Sequence, residues 1–172
     1  MGESYTGPVF YVVHGPLFTH EKPETNALNE AVYIANMKKI RGALEKAGLM
    51  KIPVVYETGH FDRDKERLQK FVSGIKNKPR IIWVERPEGI RAALKENMVN
   101  PKRFVVAGHF RDICVHSGII EIRNDFPDAE IYLLEGAFTA YFAPPGNRRY
   151  YRDELREIGV KFSKKLARKH FV

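Results

Sequence analysis

Phe104-Val105-Val106-Ala107-Gly108-His109-Phe110-Arg111-Asp112-Ile113-Cys114-Val115 changes its periodicity halfway along. The first four residues are a continuous apolar run, the pattern of a strand covered on both faces. From Asp112 onward the spacing is helical. Val115, Ile119 and Ile122 recur on one face, Asp112 is a fitting N-cap, and the pattern stops near Asn124. Cys114, the only cysteine of the chain, falls in the first turn of that helix. There the positive end of the helix dipole favours a thiolate, and free backbone N–H groups offer donors to an oxyanion.

Four more apolar runs flank this unit: Val9–Val13, Pro53–Tyr56, Ile81–Val84 and Ile131–Leu134. The five runs lead into His14, Glu57, Glu85, His109 and Glu135. Helical patterns separate them. Met37, Ile40, Leu44 and Ala47 form a stripe within a helix expected over 24–47, closed by Gly48. Leu68, Phe71, Val72 and Ile75 mark a second helix over 64–75, and Pro87 opens a third that ends near Met98. After the Pro144-Pro145-Gly146 loop, an amphipathic helix is expected over 149–158, with a short sixth strand at Val160–Phe162. Alternating strands and helices predict βαβ units. The expected fold class is α/β: a three-layer sandwich with a mainly parallel, doubly wound sheet of five to six strands. Residues 1–172 read as one domain with a basic C-terminal segment. In such a sheet the carboxyl ends of the strands share one edge, where ligand crevices form.

Composition narrows the function classes. A chain of 172 residues is long enough for a full core. One cysteine excludes an intrachain disulfide framework and a CxxC zinc or redox motif. No apolar stretch reaches the roughly 20 residues of a membrane helix, and Met1–Gly7 lacks the basic and apolar regions of a secretory leader. The expected location is the cytoplasm, with no membrane partner. Phosphate loops and the GxSxG elbow are absent, so no cofactor is expected and serine-hydrolase chemistry is disfavoured. The net charge is +8, of which +6 lies in Arg148–Val172, with nine Lys/Arg against three Asp/Glu. That end is the place where nucleic acid would bind, if at all, although its aromatic residues form no RNA-stacking motif.

Gly108–Val115 is similar to the Gly-x-x-Thr-Asp-x-Cys-Val signature of the isochorismatase-like cysteine hydrolases, a family that includes nicotinamidases and N-carbamoylsarcosine amidohydrolase. Val9–Phe18 resembles the family's first strand and its DxQxxF continuation. Ala47–Tyr56 resembles the ARxxGxPVxY turn into the second strand, and Ile131–Ala137 resembles the fifth strand with its DA end. The resemblance implies hydrolysis of a non-peptide C–N bond in a small amide or carbamoyl compound, usually by a homo-oligomer. It also implies an Asp-Lys-Cys triad, of which this chain keeps only Cys114. His14 replaces the aspartate, Glu85 replaces the lysine, and Arg111 replaces the threonine of the signature.

These replacements have a chemical logic of their own, because cysteine, histidine and a carboxylate form a second common way to activate a thiol. Cys114 is the expected nucleophile, His14 the base, and Glu85 its support. Arg86 and Arg111 are candidates for gripping a substrate carboxylate. His109, Phe110 and His60 are candidates for the pocket wall. The family's metal-binding Asp-x-His after the second strand is not kept around His60, so no metal site is assigned; His60 with Glu57 and His14 is the one set with zinc-like chemistry. The alternative to catalysis is an inactive member of the fold that serves as a binding or assembly module.

Overall fold

The computed structural model describes residues 4–14, 30–58, 62–108, 114–138 and 147–164. Among these residues, six strands form one sheet: β1 (Val9–Val13), β2 (Val54–Glu57), β3 (Ile81–Val84), β4 (Arg103–Gly108), β5 (Glu130–Phe138) and β6 (Lys161–Ser163). Their order is β3-β2-β1-β4-β5-β6, and every neighbouring pair is parallel. The helices are α1 (Glu30–Leu49), α2 (Asp62–Ser73), α3 (Ile90–Glu96), α4 (His116–Asp125) and α5 (Asn147–Glu157).

Period-two alternation in the strands feeds two cores. Val9, Tyr11 and Val13 of β1 point into one, and Phe10 and Val12 into the other. The first core is completed by Ile90 and Leu94 of α3, Ile119 and Ile122 of α4, and Leu155 of α5. The second takes Met37, Ile40, Leu44 and Ala47, the stripe expected on the first helix, together with Val72 of α2. Helices therefore cover both sheet faces, which is why the strands are apolar throughout. This is the three-layer, doubly wound arrangement.

Boundaries differ from expectation where local geometry intervenes. Pro87 opens a single 3-10 turn, Pro87–Gly89, and α3 proper starts only at Ile90. The tight turn closes on the Gly89 N–H to Arg86 carbonyl bond, 3.1 Å. β5 runs four residues past Leu134, because the ladder to β4 shifts register between Val106 and Gly108 and then pairs Gly108 with Phe138. Asn36 on α1 ties that extension down by donating to the Phe138 carbonyl at 2.9 Å.

The strand order places the site. From β1 the chain winds outward through β2 to β3, then returns to the other side of β1 with β4. The carboxyl ends of β1 and β4 therefore flank the point where winding reverses, the place where open α/β sheets form their ligand crevices. No helix among the described residues is long and apolar enough to cross a membrane.

Candidate active site at the strand carboxyl ends

His14 follows β1 directly. Its backbone turns into the left-handed region, φ 46°, a conformation that costs a non-glycine residue about 1–3 kcal/mol. Its N–H still donates to the Glu57 carbonyl at 3.1 Å, prolonging the β1–β2 ladder by one bond. The imidazole Nε2 lies 3.6 Å from Glu57 Oε1. Glu57 is the last residue of β2 and pairs in register with Val13. It belongs to the same sheet face as Val13 and Tyr11, the face covered by α3 and α4.

Glu57 is only 3% exposed. Burial raises its carboxyl from the usual 4.5 to about 7; a hydrogen bond from the Tyr11 hydroxyl to Oε2 opposes that rise, and the charge of Glu88 adds to it. Glu88 belongs to the 3-10 turn that packs against α4. The sign of the stability effect follows. The native state holds a proton that the unfolded chain gives up near 4.5, so stability falls as pH rises from there through about 7. Glu57→Gln removes this titration. Wild type should lose about 3 kcal/mol relative to that variant across the interval, measured by urea unfolding at each pH.

Cys114 is partly buried and in no disulfide. It packs against the core that Tyr11 and Val13 help to form, so it shares a sheet face with Glu57. Cys114 and Val115 are in π-helical conformation and run directly into α4. That differs from the regular first turn expected after an Asp112 cap; Asp112 itself lies outside the described residues. A π turn in front of a helix is a frequent mark of functional positions. Cys114 is close enough for its charge to act on the Tyr11 hydroxyl.

The contacts run in series: His14 meets Glu57, Glu57 accepts from Tyr11, and Cys114 acts electrostatically on Tyr11. Glu85 lies elsewhere: it is exposed at the end of β3, one strand farther from β1 than Glu57. Adjacent strands lie about 4.8 Å apart, so the carboxylate beside His14 comes from β2. Arg86 is also exposed, next to Glu85. His60, His109, Phe110 and Arg111 lie outside the described residues. Among the described residues, no group of three His, Cys, Asp or Glu could hold a metal ion. A separate groove of about 290 Å³, lined by Arg91, Lys95, Met98, Asn100 and Asp125, opens near the starts of β1 and β4, away from the thiol. Glu57 stood among the ionisable strand ends in the sequence, but its burial did not. Tyr11 carried no signal beyond that of a strand aromatic.

No protein-family model matches the sequence, and no curated protein aligns with it significantly. Solved structures do match its coordinates. An N-carbamoylsarcosine amidase from Thermoplasma acidophilum superposes with a TM-score of 0.60 at 18% identity, covering 91% of this chain and 95% of its own. A nicotinamidase from Bacillus subtilis gives 0.65 at 13% identity, with 91% and 98% covered. An isochorismatase from Pseudomonas putida gives 0.64 at 10% identity, with 95% and 91% covered. The chain has the isochorismatase-like fold. Coverage is nine-tenths or more in both directions, so the likeness is not confined to a common α/β half. At these identities the likeness extends to the architecture alone, and chemistry has to be argued from the residues in place.

Proposed function

We propose that this protein is a cysteine hydrolase that cleaves the C–N bond of a small amide or carbamoyl compound at a Cys114–His14–Glu57 site. The observation that carries the proposal is the His14–Glu57 contact, 3.6 Å, at the point where winding reverses and on the sheet face against which Cys114 packs. The structural likeness to amidases adds the substrate class.

The chemistry runs in two halves. His14 takes the proton of Cys114, and the sulfur attacks the carbonyl carbon. The C–N bond then breaks, the amine leaves with the proton held on His14, and a thioester remains on Cys114. Water, deprotonated by His14, releases the acid and regenerates the thiol. Ionised Glu57 stabilises the imidazolium that forms in each half. Because Glu57 ionises near 7, turnover should rise as pH passes through that value, the interval in which stability falls.

Iodoacetamide tests the pairing without any knowledge of the substrate. Cys114 should be alkylated rapidly at pH 6–7, and His14→Ala should slow that reaction by about 10-fold or more. Slow, ordinary-thiol alkylation that ignores His14→Ala would refute the site. The non-catalytic alternative, a binding module of the same fold, makes that second result its own expectation.

A further inference from the structure

Tyr11 has no part in the chemistry proposed above, yet its hydroxyl lies at the centre of the site. The side chain is fully buried in the middle of β1. It pairs with Val55, two residues before Glu57 on β2, so hydroxyl and carboxyl are diagonal neighbours on one face. The hydroxyl donates to Glu57 Oε2. The far end of the same ring abuts α4 at Gly118, one helical turn beyond Cys114. A Cβ there would stand 2.6 Å from the Tyr11 oxygen. Burial first, and then the charge of Glu57, push the phenol well above its ordinary 10. It is therefore a permanent donor at any pH the protein meets in use.

A carboxylate offers two oxygens. Here Tyr11 holds one, and the other is left for His14. We propose that Tyr11 is a positioning residue: its hydroxyl pins Glu57 Oε2 so that Oε1 faces His14, and Gly118 preserves the space on the Cys114 helix that the hydroxyl occupies. This rests on the Cys114–His14–Glu57 site proposed above. The groups that face Glu57 are His14, Tyr11 and Glu88, while Cys114 faces Tyr11. Of these, the Tyr11 hydrogen bond favours the charged carboxylate. Its removal has to raise the pH at which Glu57 ionises.

The test uses Tyr11→Phe in the full chain. Carboxyl titration of Glu57 is followed by infrared spectroscopy of protein labelled with 13C-glutamate, with Glu57→Gln as the blank. Cys114 alkylation by iodoacetamide is measured across the same pH range. The Glu57 midpoint should rise by about one pH unit in Tyr11→Phe, and the alkylation profile should move with it. An unchanged midpoint in folded Tyr11→Phe overturns the proposal. Should that variant fail to fold, Gly118→Ala displaces the hydroxyl from the other side, and the same upward shift is required of it; no shift there overturns the proposal equally. The two claims fail separately. Wild-type Cys114 alkylating as an ordinary thiol removes the hydrolase site, whereas the carboxyl midpoint judges the Tyr11–Glu57 link with no reference to the thiol.

Discussion

Cys114→Ala is expected to abolish the acyl adduct and to lower amide hydrolysis by roughly 10⁴-fold or more. The size follows from the order of events. If the C–N bond breaks through a thioester, no other described side chain in this group of contacts offers a comparable nucleophile. Glu57 is buried and spends one oxygen on Tyr11, and burial holds the Tyr11 phenol well above its ordinary 10. Losing one partly buried sulfur should cost only about 1 kcal/mol of stability, so the variant should remain folded and the loss can be assigned to chemistry. Intact-mass spectrometry after mixing with small primary amides reads the adduct directly. Residual turnover within about 10-fold of wild type would exclude the thioester route, whatever the identity of the best substrate.

Gly108→Ala should destabilise the protein by about 4 kcal/mol, a large part of the 5–15 kcal/mol that holds a typical domain together. Gly108 ends β4 with φ +141°, a backbone region that L side chains rarely adopt. It also lies against β1: a Cβ would come within 2.1 Å of the Val13 carbonyl oxygen and 2.7 Å of the Val13 nitrogen. Both contacts are backbone, so no side chain can swing aside. Strand separation at the winding-reversal point is the only relief, and it would open the edge on which His14 and Glu57 meet. Equilibrium urea unfolding of Gly108→Ala measures the cost, and a loss below about 1 kcal/mol would contradict the close β1–β4 approach. The variant should also weaken the fast alkylation of Cys114, since its effect falls on the carrier of His14.

The first residue of the cysteine signature thus has a physical reason that the motif alone does not state: it is glycine because Val13 leaves no room for a Cβ. Elsewhere the sequence was most legible where a single element decides the outcome. β1 and β3 begin and end where their apolar runs do, and the stripe of α1 enters the core as its spacing demands. It was less legible where two elements interact. The extension of β5 depends on a register shift against β4, and the short 3-10 turn before α3 depends on a bond back to Arg86.

The site divides along the same line. Apolar periods, the glycine, and the cysteine at the head of a helix determined by themselves that the sheet is parallel, that its strands end in ionisable residues, and that a thiol lies on that edge. Only the tertiary structure decided which carboxylate His14 meets. Glu57 and Glu85 are equivalent in the sequence, each being the first acid at the end of a strand. In space β2 is hydrogen-bonded to β1 with Glu57 opposite Val13, and β3 lies one strand beyond. That choice is made by the crossovers that order the strands, and by the burial that α3 and α4 impose on one face. Distance along the chain carries no trace of either.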